Sequence, residues 1–224
     1  MDITSLFITG KLALVVTPLL LAASLPVAWL LAFSRIPGKG FVEATCCLPL
    51  VLPPTVLGFY LLVFLGPHGA LGAAWESLFG GRLVFTFSGL VLASMVYSLP
   101  FAILPLKAAF QKLDPRLMEA AAVLGLSSRQ AFFRVVLPNS LGGLATAAVL
   151  VFAHTMGEFG VALMIGGSIP GQTKVASISI YESVESLEYA DAWALSAVLL
   201  GLSYVVLFLI SRLDRNGQYG GGRR

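Results

Sequence analysis

His154 and Glu158 stand four residues apart in an otherwise apolar stretch, so a helix there would carry both on one face. Groups of this kind could hold a metal ion or move a proton. Two ligands do not complete a zinc or transition-metal shell, and no nucleophile or second carboxylate lies nearby in sequence to complete acid–base chemistry. Cys46 and Cys47 are adjacent, a spacing that rarely forms an unstrained disulfide, and read as reduced packing residues. The single Gly–Lys pair, Gly38–Lys39, is followed by glycine and lacks the spacing of a GxxxxGK[ST] phosphate loop. No catalytic residue, metal site or cofactor is therefore expected in this chain. Glu158 keeps two readings: a structural carboxylate that caps backbone or pairs with a neighbouring helix, or part of a gate. Thr155, Pro53 and Pro54 join it as candidate gate or path residues.

The surroundings of these residues decide where such chemistry would take place. Of 224 residues, 58% are hydrophobic and 11% charged, against about 25% charged in an ordinary soluble domain. The composition is that of an integral membrane protein, and it argues against nucleic acid as a partner, since a formal charge of +3 is too small for that role. The N-terminus lacks the basic region and cleavage site of a secretory signal, so the first apolar segment is expected to stay as a span. About 20 apolar residues cross the hydrocarbon core. Five segments meet that length, approximately 12–34, 42–65, 83–108, 141–165 and 192–211.

Proline punctuates the first three: Pro18 and Pro26, then Pro49, Pro53 and Pro54, then Pro100 and Pro105. Each removes a backbone donor, so kinks or breaks are expected there. Such breaks serve packing, or they line a path for a polar solute. Residues 46–59, around Pro53 and Pro54, are the best candidate for path-lining backbone.

Lysine and arginine accumulate on the cytoplasmic side of a membrane. With the N-terminus outside, Arg35, Lys39, Lys107, Lys112, Arg116, Arg129, Arg134, Arg212, Arg215, Arg223 and Arg224 all fall inside, and only Lys11, Arg82 and Lys174 fall outside. Residues 112–139 are then cytoplasmic, while 66–82 and 166–191 face outward. The expected architecture is an all-α membrane bundle of about five transmembrane helices in one domain, 1–216. A short, disordered basic tail is expected at 217–224.

The polar insert has strong local signals. Asp114 before Pro115 reads as an N-cap with proline at the first helical position. Leu117, Ala120, Ala121 and Leu124 form a narrow apolar stripe, and Gly125 ends that helix. Ser127 and Gln130 have the form of a capping box that starts a second helix, running to about Pro138. Phe132 and Phe133 on it must pack on membrane helices or on another protein.

Glu119, Ala120, Ala121, Gly125, Val135, Leu137 and Pro138 together resemble the EAA loop of importer permeases of the ATP-binding-cassette class, with Val135 where isoleucine is usual. The resemblance implies a cytoplasmic helix-turn-helix coupling loop that docks on a separate ATPase. Glu119, Ala120, Ala121, Gly125, Leu126 and Ser127 would carry that coupling, with the apolar stripe and phenylalanines anchoring the loop to the spans. ATP and magnesium would be bound by the partner ATPase.

A second resemblance covers nearly the whole chain. "GEFG" at 157–160, "GGSIPGQT" at 166–173 and the segment from Ser177 to Leu200 are similar to the molybdate and sulfate branch of these permeases, and the length is closer to its molybdate members. This implies a homodimer around a central path, two ATPase subunits below and an extracytoplasmic molybdate-binding protein above, in a bacterial or archaeal inner membrane. Sulfate and tungstate, tetrahedral dianions like molybdate, are the alternatives within the class. A channel or carrier that needs no ATPase is the alternative outside it.

Overall fold

The computed structural model describes residues 2–34 and 37–219, with the backbone alone for 207, 209–211 and 213–219. Arg35, Arg223 and Arg224, used above for orientation, lie outside the described residues, as does the tail from 220 onward. Every described element is helical. Residues 217–219 do not begin a separate tail but end a long helix, α12 (Tyr189–Tyr219).

The first helix, α1 (Ile3–Phe33), starts well before residue 12 because Asp2 caps it, accepting from the Ser5 amide at 3.0 Å. It stays helical through Pro18 and Pro26, and α5 (Phe87–Gln111) stays helical through Pro100 and Pro105. The expected breaks do not interrupt these two spans. Thr86 caps α5 in the same way as Asp2 caps α1.

The second apolar segment is broken. It runs as α2 (Lys39–Cys47), a short 3-10 turn (Leu48–Leu50) and α3 (Pro54–Leu65), with a 111° bend between the halves. Pro53 and Pro54 cannot donate to a continuing helix, and Pro54 opens the new one. Helix α4 (Ala70–Phe79) follows. Cys46 is buried and Cys47 half-buried, both as free thiols.

The insert forms α6 (Pro115–Val123), α7 (Ser128–Ala131), a π-helical turn (Phe132–Val136) and α8 (Leu137–Asn139). A 75° bend leads into α9 (Leu141–Met156). The fourth segment then breaks at residues 157–159 and resumes as α10 (Gly160–Gly166), a break with no proline in it. Helix α11 (Ala176–Glu185) precedes α12. Three helices are long and apolar enough to cross a membrane, and up to five spans result if each bent pair counts as one.

Helices α1, α5 and α9 pack against one another as the core of the bundle. Leu12, Val16 and Leu20 of α1 meet Leu90 and Val91 of α5, Val151 of α9, Ala162 of α10 and Ile178 of α11. Lower down, Ala28, Leu106, Phe110, Val136 and Ala147 form a second cluster. Each fully buried leucine or valine contributes about 1.5–3 kcal/mol relative to exposure in water. In lipid the driving force is tighter packing rather than escape from water.

The segment after α10 is fastened to the start of α1. Thr9 accepts a hydrogen bond from the Ala176 amide at 2.8 Å, and Lys174 lies 2.6 Å from Glu182 and 3.8 Å from Asp2. Ser168 also donates to Glu182. Burial raises the Glu182 carboxyl, but the hydrogen bonds from Lys174 and Ser168 and the Lys174 charge outweigh it and hold it below the ordinary carboxylate value.

Candidate functional site

The two breaks face each other. A Cβ added to Gly160 would come within 2.9 Å of the Pro54 Cβ, so only glycine lets the start of α10 approach the start of α3 this closely. Beside this junction lies a pocket of about 510 Å³, lined by Pro54, Thr55, Tyr97, His154, Glu158 and the backbone around Gly157 and Gly160. Glu158, in the break, is 3% exposed, and neither carboxylate oxygen has a hydrogen-bond partner among the described residues. The Ser94 hydroxyl nearby is likewise buried with no hydrogen-bond partner among the described residues. The Glu158 backbone is well held: its carbonyl accepts from Ser177 and its amide reaches the Thr155 carbonyl at 3.4 Å.

His154 is fixed in place by its neighbours. Its Nδ1 lies 2.9 Å from the Ser98 hydroxyl, and its ring stacks on Phe101 at 4.2 Å and tilts against Tyr97 at 4.6 Å. Thr155 is buried beneath this pair, 3.4 Å from Ser98. The structure thus brings Pro54, His154 and Glu158 to one pocket. It leaves Thr155 in the packing behind that pocket and Pro53 outside its lining. Ser98, Tyr97 and Thr55 were not singled out from sequence, because a serine or tyrosine in an apolar run carries no signal until its neighbours on other helices are known.

The insert follows the sequence reading closely in its backbone. Asp114 accepts from the Arg116 amide at 2.9 Å. Gly125 has φ of +71°, with the Gly125 amide on the Ala122 carbonyl and the Leu126 amide on the Ala121 carbonyl, both at 3.0 Å. That pair of bonds is the Schellman arrangement, which closes a helix with a left-handed residue. Ser127 and Gln130 complete the capping box. Its side chains depart from expectation. Of the apolar stripe only Ala121 is buried, while Leu117, Leu124 and the adjacent Val123 are exposed, Val123 at 89%. The stripe does not anchor the insert to the spans; Met118 and Phe132 do, Phe132 by edge contacts with Trp29 at 5.2 Å and Phe110 at 6.1 Å. Phe133 is 55% exposed. Glu119, Ala120, Gly125 and Ser127 are exposed, and Leu126 is half-buried.

Residues 6–216 match the family model described as "Binding-protein-dependent transport system inner membrane component". The molybdenum transport system permease protein ModB of Azotobacter vinelandii is 48% identical over 209 residues, covering 93% of this chain and 92% of its own. A probable sulfate transport system permease protein, cysT of Chlorella vulgaris, is 37% identical over 185 residues, 83% of this chain and 69% of its own. Among solved structures, a chain of a bacterial alginate ABC transporter, in complex with an alginate-bound periplasmic protein, superposes with a TM-score of 0.73 over 96% of this chain and 78% of that one, at 18% identity. Fold, length and family model agree: this chain belongs to the family of binding-protein-dependent transport system inner membrane components.

Proposed function

We propose that this protein is the membrane-spanning permease subunit of an ATP-driven molybdate importer. The observation that carries the reading is the 48% identity to a molybdenum permease across nearly the whole of both chains. The lower identity and shorter coverage of the sulfate permease place sulfate second. The subunit forms a passage and does no bond-breaking chemistry itself.

Two copies of the chain surround the path in this reading, with an extracytoplasmic oxyanion-binding protein on the outer side and two ATPase subunits on the cytoplasmic side. The insert is the cytoplasmic coupling loop. Its exposed Val123, Leu124 and Leu117, beside the exposed Glu119, are apolar side chains that this chain leaves uncovered, which suits a surface buried by the ATPase. Because α6 and α7 are fully capped, a push on this surface moves the insert as a unit, and Phe132 passes the motion to α1 and α5.

The pocket at the two breaks is the proposed path element. Fixed cations would trap a dianion, and the pocket lining has no lysine or arginine among the described residues. Glu158 suits an outer gate, where a carboxylate disfavours anion leakage through the closed path.

The test is uptake of labelled molybdate by cells with and without this chain, in excess sulfate and separately in excess tungstate. Chain-dependent uptake that survives sulfate is expected, and competition by tungstate measures how finely the two are separated. Loss of uptake in sulfate makes this a sulfate permease. Uptake that continues after cellular ATP is depleted contradicts the ATPase-coupled reading.

A further inference from the structure

A wedge-shaped cavity of about 370 Å³ opens between the later part of α1 and the second helix of the insert. Ala22, Leu25, Pro26 and Trp29 line it from α1, and Ser128, Arg129, Phe132 and Phe133 from the insert. Pro26 supplies no N–H, so the Ala22 carbonyl one turn earlier loses its helical donor beside the cavity. The π-helical turn places two phenylalanines in succession, with ring centroids 5.1 Å apart. Phe132 packs on Trp29 while Phe133 remains exposed.

Charge distinguishes this slot from a simple packing defect. Arg129 is exposed and has no ion pair among the described residues, and the same holds for Lys112, Arg116 and Arg134 of the insert. Basic clusters next to the end of a membrane helix attract anionic lipid headgroups, and tryptophan concentrates at the membrane–water interface. An apolar slot beside Trp29 with an unpaired guanidinium in its lining has the chemistry of an acyl chain joined to a phosphate.

We infer that this wedge binds an anionic phospholipid, with its acyl chain along Trp29, Phe132 and Phe133 and its phosphate on Arg129. Assignment to the inner leaflet rests on the cytoplasmic placement of the insert proposed above. The lipid then sits between the insert and α1, where it sets how firmly the insert is seated on the spans.

The experiment uses the full chain with Trp75→Phe and Trp193→Phe, which leaves Trp29 as the sole tryptophan, reconstituted in phosphatidylcholine vesicles. Part of the lipid is replaced by chain-brominated phosphatidylglycerol or, in parallel, by chain-brominated phosphatidylcholine. An enrichment of roughly fivefold for the anionic lipid at Trp29 is expected, the advantage of one basic side chain at an anionic site. Arg129→Gln removes the difference, and Arg134→Gln, outside the cavity, keeps it. Equal quenching by the two lipids, absence of quenching because protein covers the wedge, or loss of the difference on adding inorganic phosphate overturns the proposal. Both leaflets carry the brominated lipid and neither ATP nor molybdate is present, so a failure of the transport reading leaves this result unaffected and is seen in uptake alone.

Discussion

Two short turns between helices behave in opposite ways. At residues 124–127 every backbone amide finds an acceptor within five residues, through the helix end, the Schellman bonds and the capping box, and Leu124, Gly125 and Ser127 are exposed. At residues 157–159 Glu158 is buried between an exposed Gly157 and a half-buried Phe159, the adjoining Gly160 packs closely on Pro54 of another span, and the Glu158 carboxylate has no hydrogen-bond partner among the described residues. The first turn is closed by local bonds, so the insert holds its shape while Leu117, Val123 and Leu124 stay uncovered by this chain. The second depends on its surroundings, and a buried, unpaired carboxylate is costly enough that its retention points to use.

The sharpest way to break this contrast is at the junction of the two breaks. Gly160→Val pushes a side chain into Pro54, and overpacking of this kind costs about 1–3 kcal/mol. A lowered thermal transition of the full chain in detergent is expected; an unchanged transition would mean that α3 and α10 do not approach as described. Gly125→Val meets no atom but forces a branched residue into the left-handed region, at about 1–2 kcal/mol. Binding to the partner ATPase is expected to weaken roughly tenfold, each 1.4 kcal/mol being a factor of ten, with the permease still folded in the membrane. Undiminished binding counts against the docking role.

A smaller effect sharpens the claim of local closure. Ser127→Ala removes the cap of α7 and costs about 1 kcal/mol. Hydrogen exchange of the amides at 128–131 is expected to quicken by roughly fivefold, with no change in α9, because the turn is closed locally. The smallest effect concerns pH. Glu182 is held below its ordinary value by Lys174 and Ser168, so its contribution to stability is complete above the unfolded carboxylate value of about 4.3 and is lost as pH falls through the lower folded value. A slight loss of thermal stability on acidification, absent in Glu182→Gln, is expected.

The same contrast explains what the sequence disclosed. Asp114–Pro115, Gly125 and Ser127–Gln130 were legible because each acts on backbone within three or four residues of itself. The break at Pro53 and Pro54 was legible for the same reason. The break at 157–159 carries no proline, and it depends on Gly160 meeting Pro54 from a distant segment, which no local pattern reports. Pro18, Pro26, Pro100 and Pro105 predicted breaks that the helices absorb, since their neighbours in the α1–α5–α9 core hold them. The stripe of α6 misled because helical spacing shows which residues share a face but not whether this chain covers that face. His154 and Glu158 were visible as a pair; that Ser98, Phe101 and Tyr97 hold the first, while no hydrogen bond among the described residues holds the Glu158 carboxylate, was not.

The measurement that tests the account most directly is labelled molybdate movement into vesicles containing the assembled transporter, with and without ATP, for the wild type, Gly125→Val and Glu158→Gln side by side. If the insert couples and the junction gates, Gly125→Val loses ATP-driven uptake with its basal leak unchanged, and Glu158→Gln raises the basal leak. If both variants match the wild type in leak and in ATP-driven uptake, neither turn has the role assigned to it.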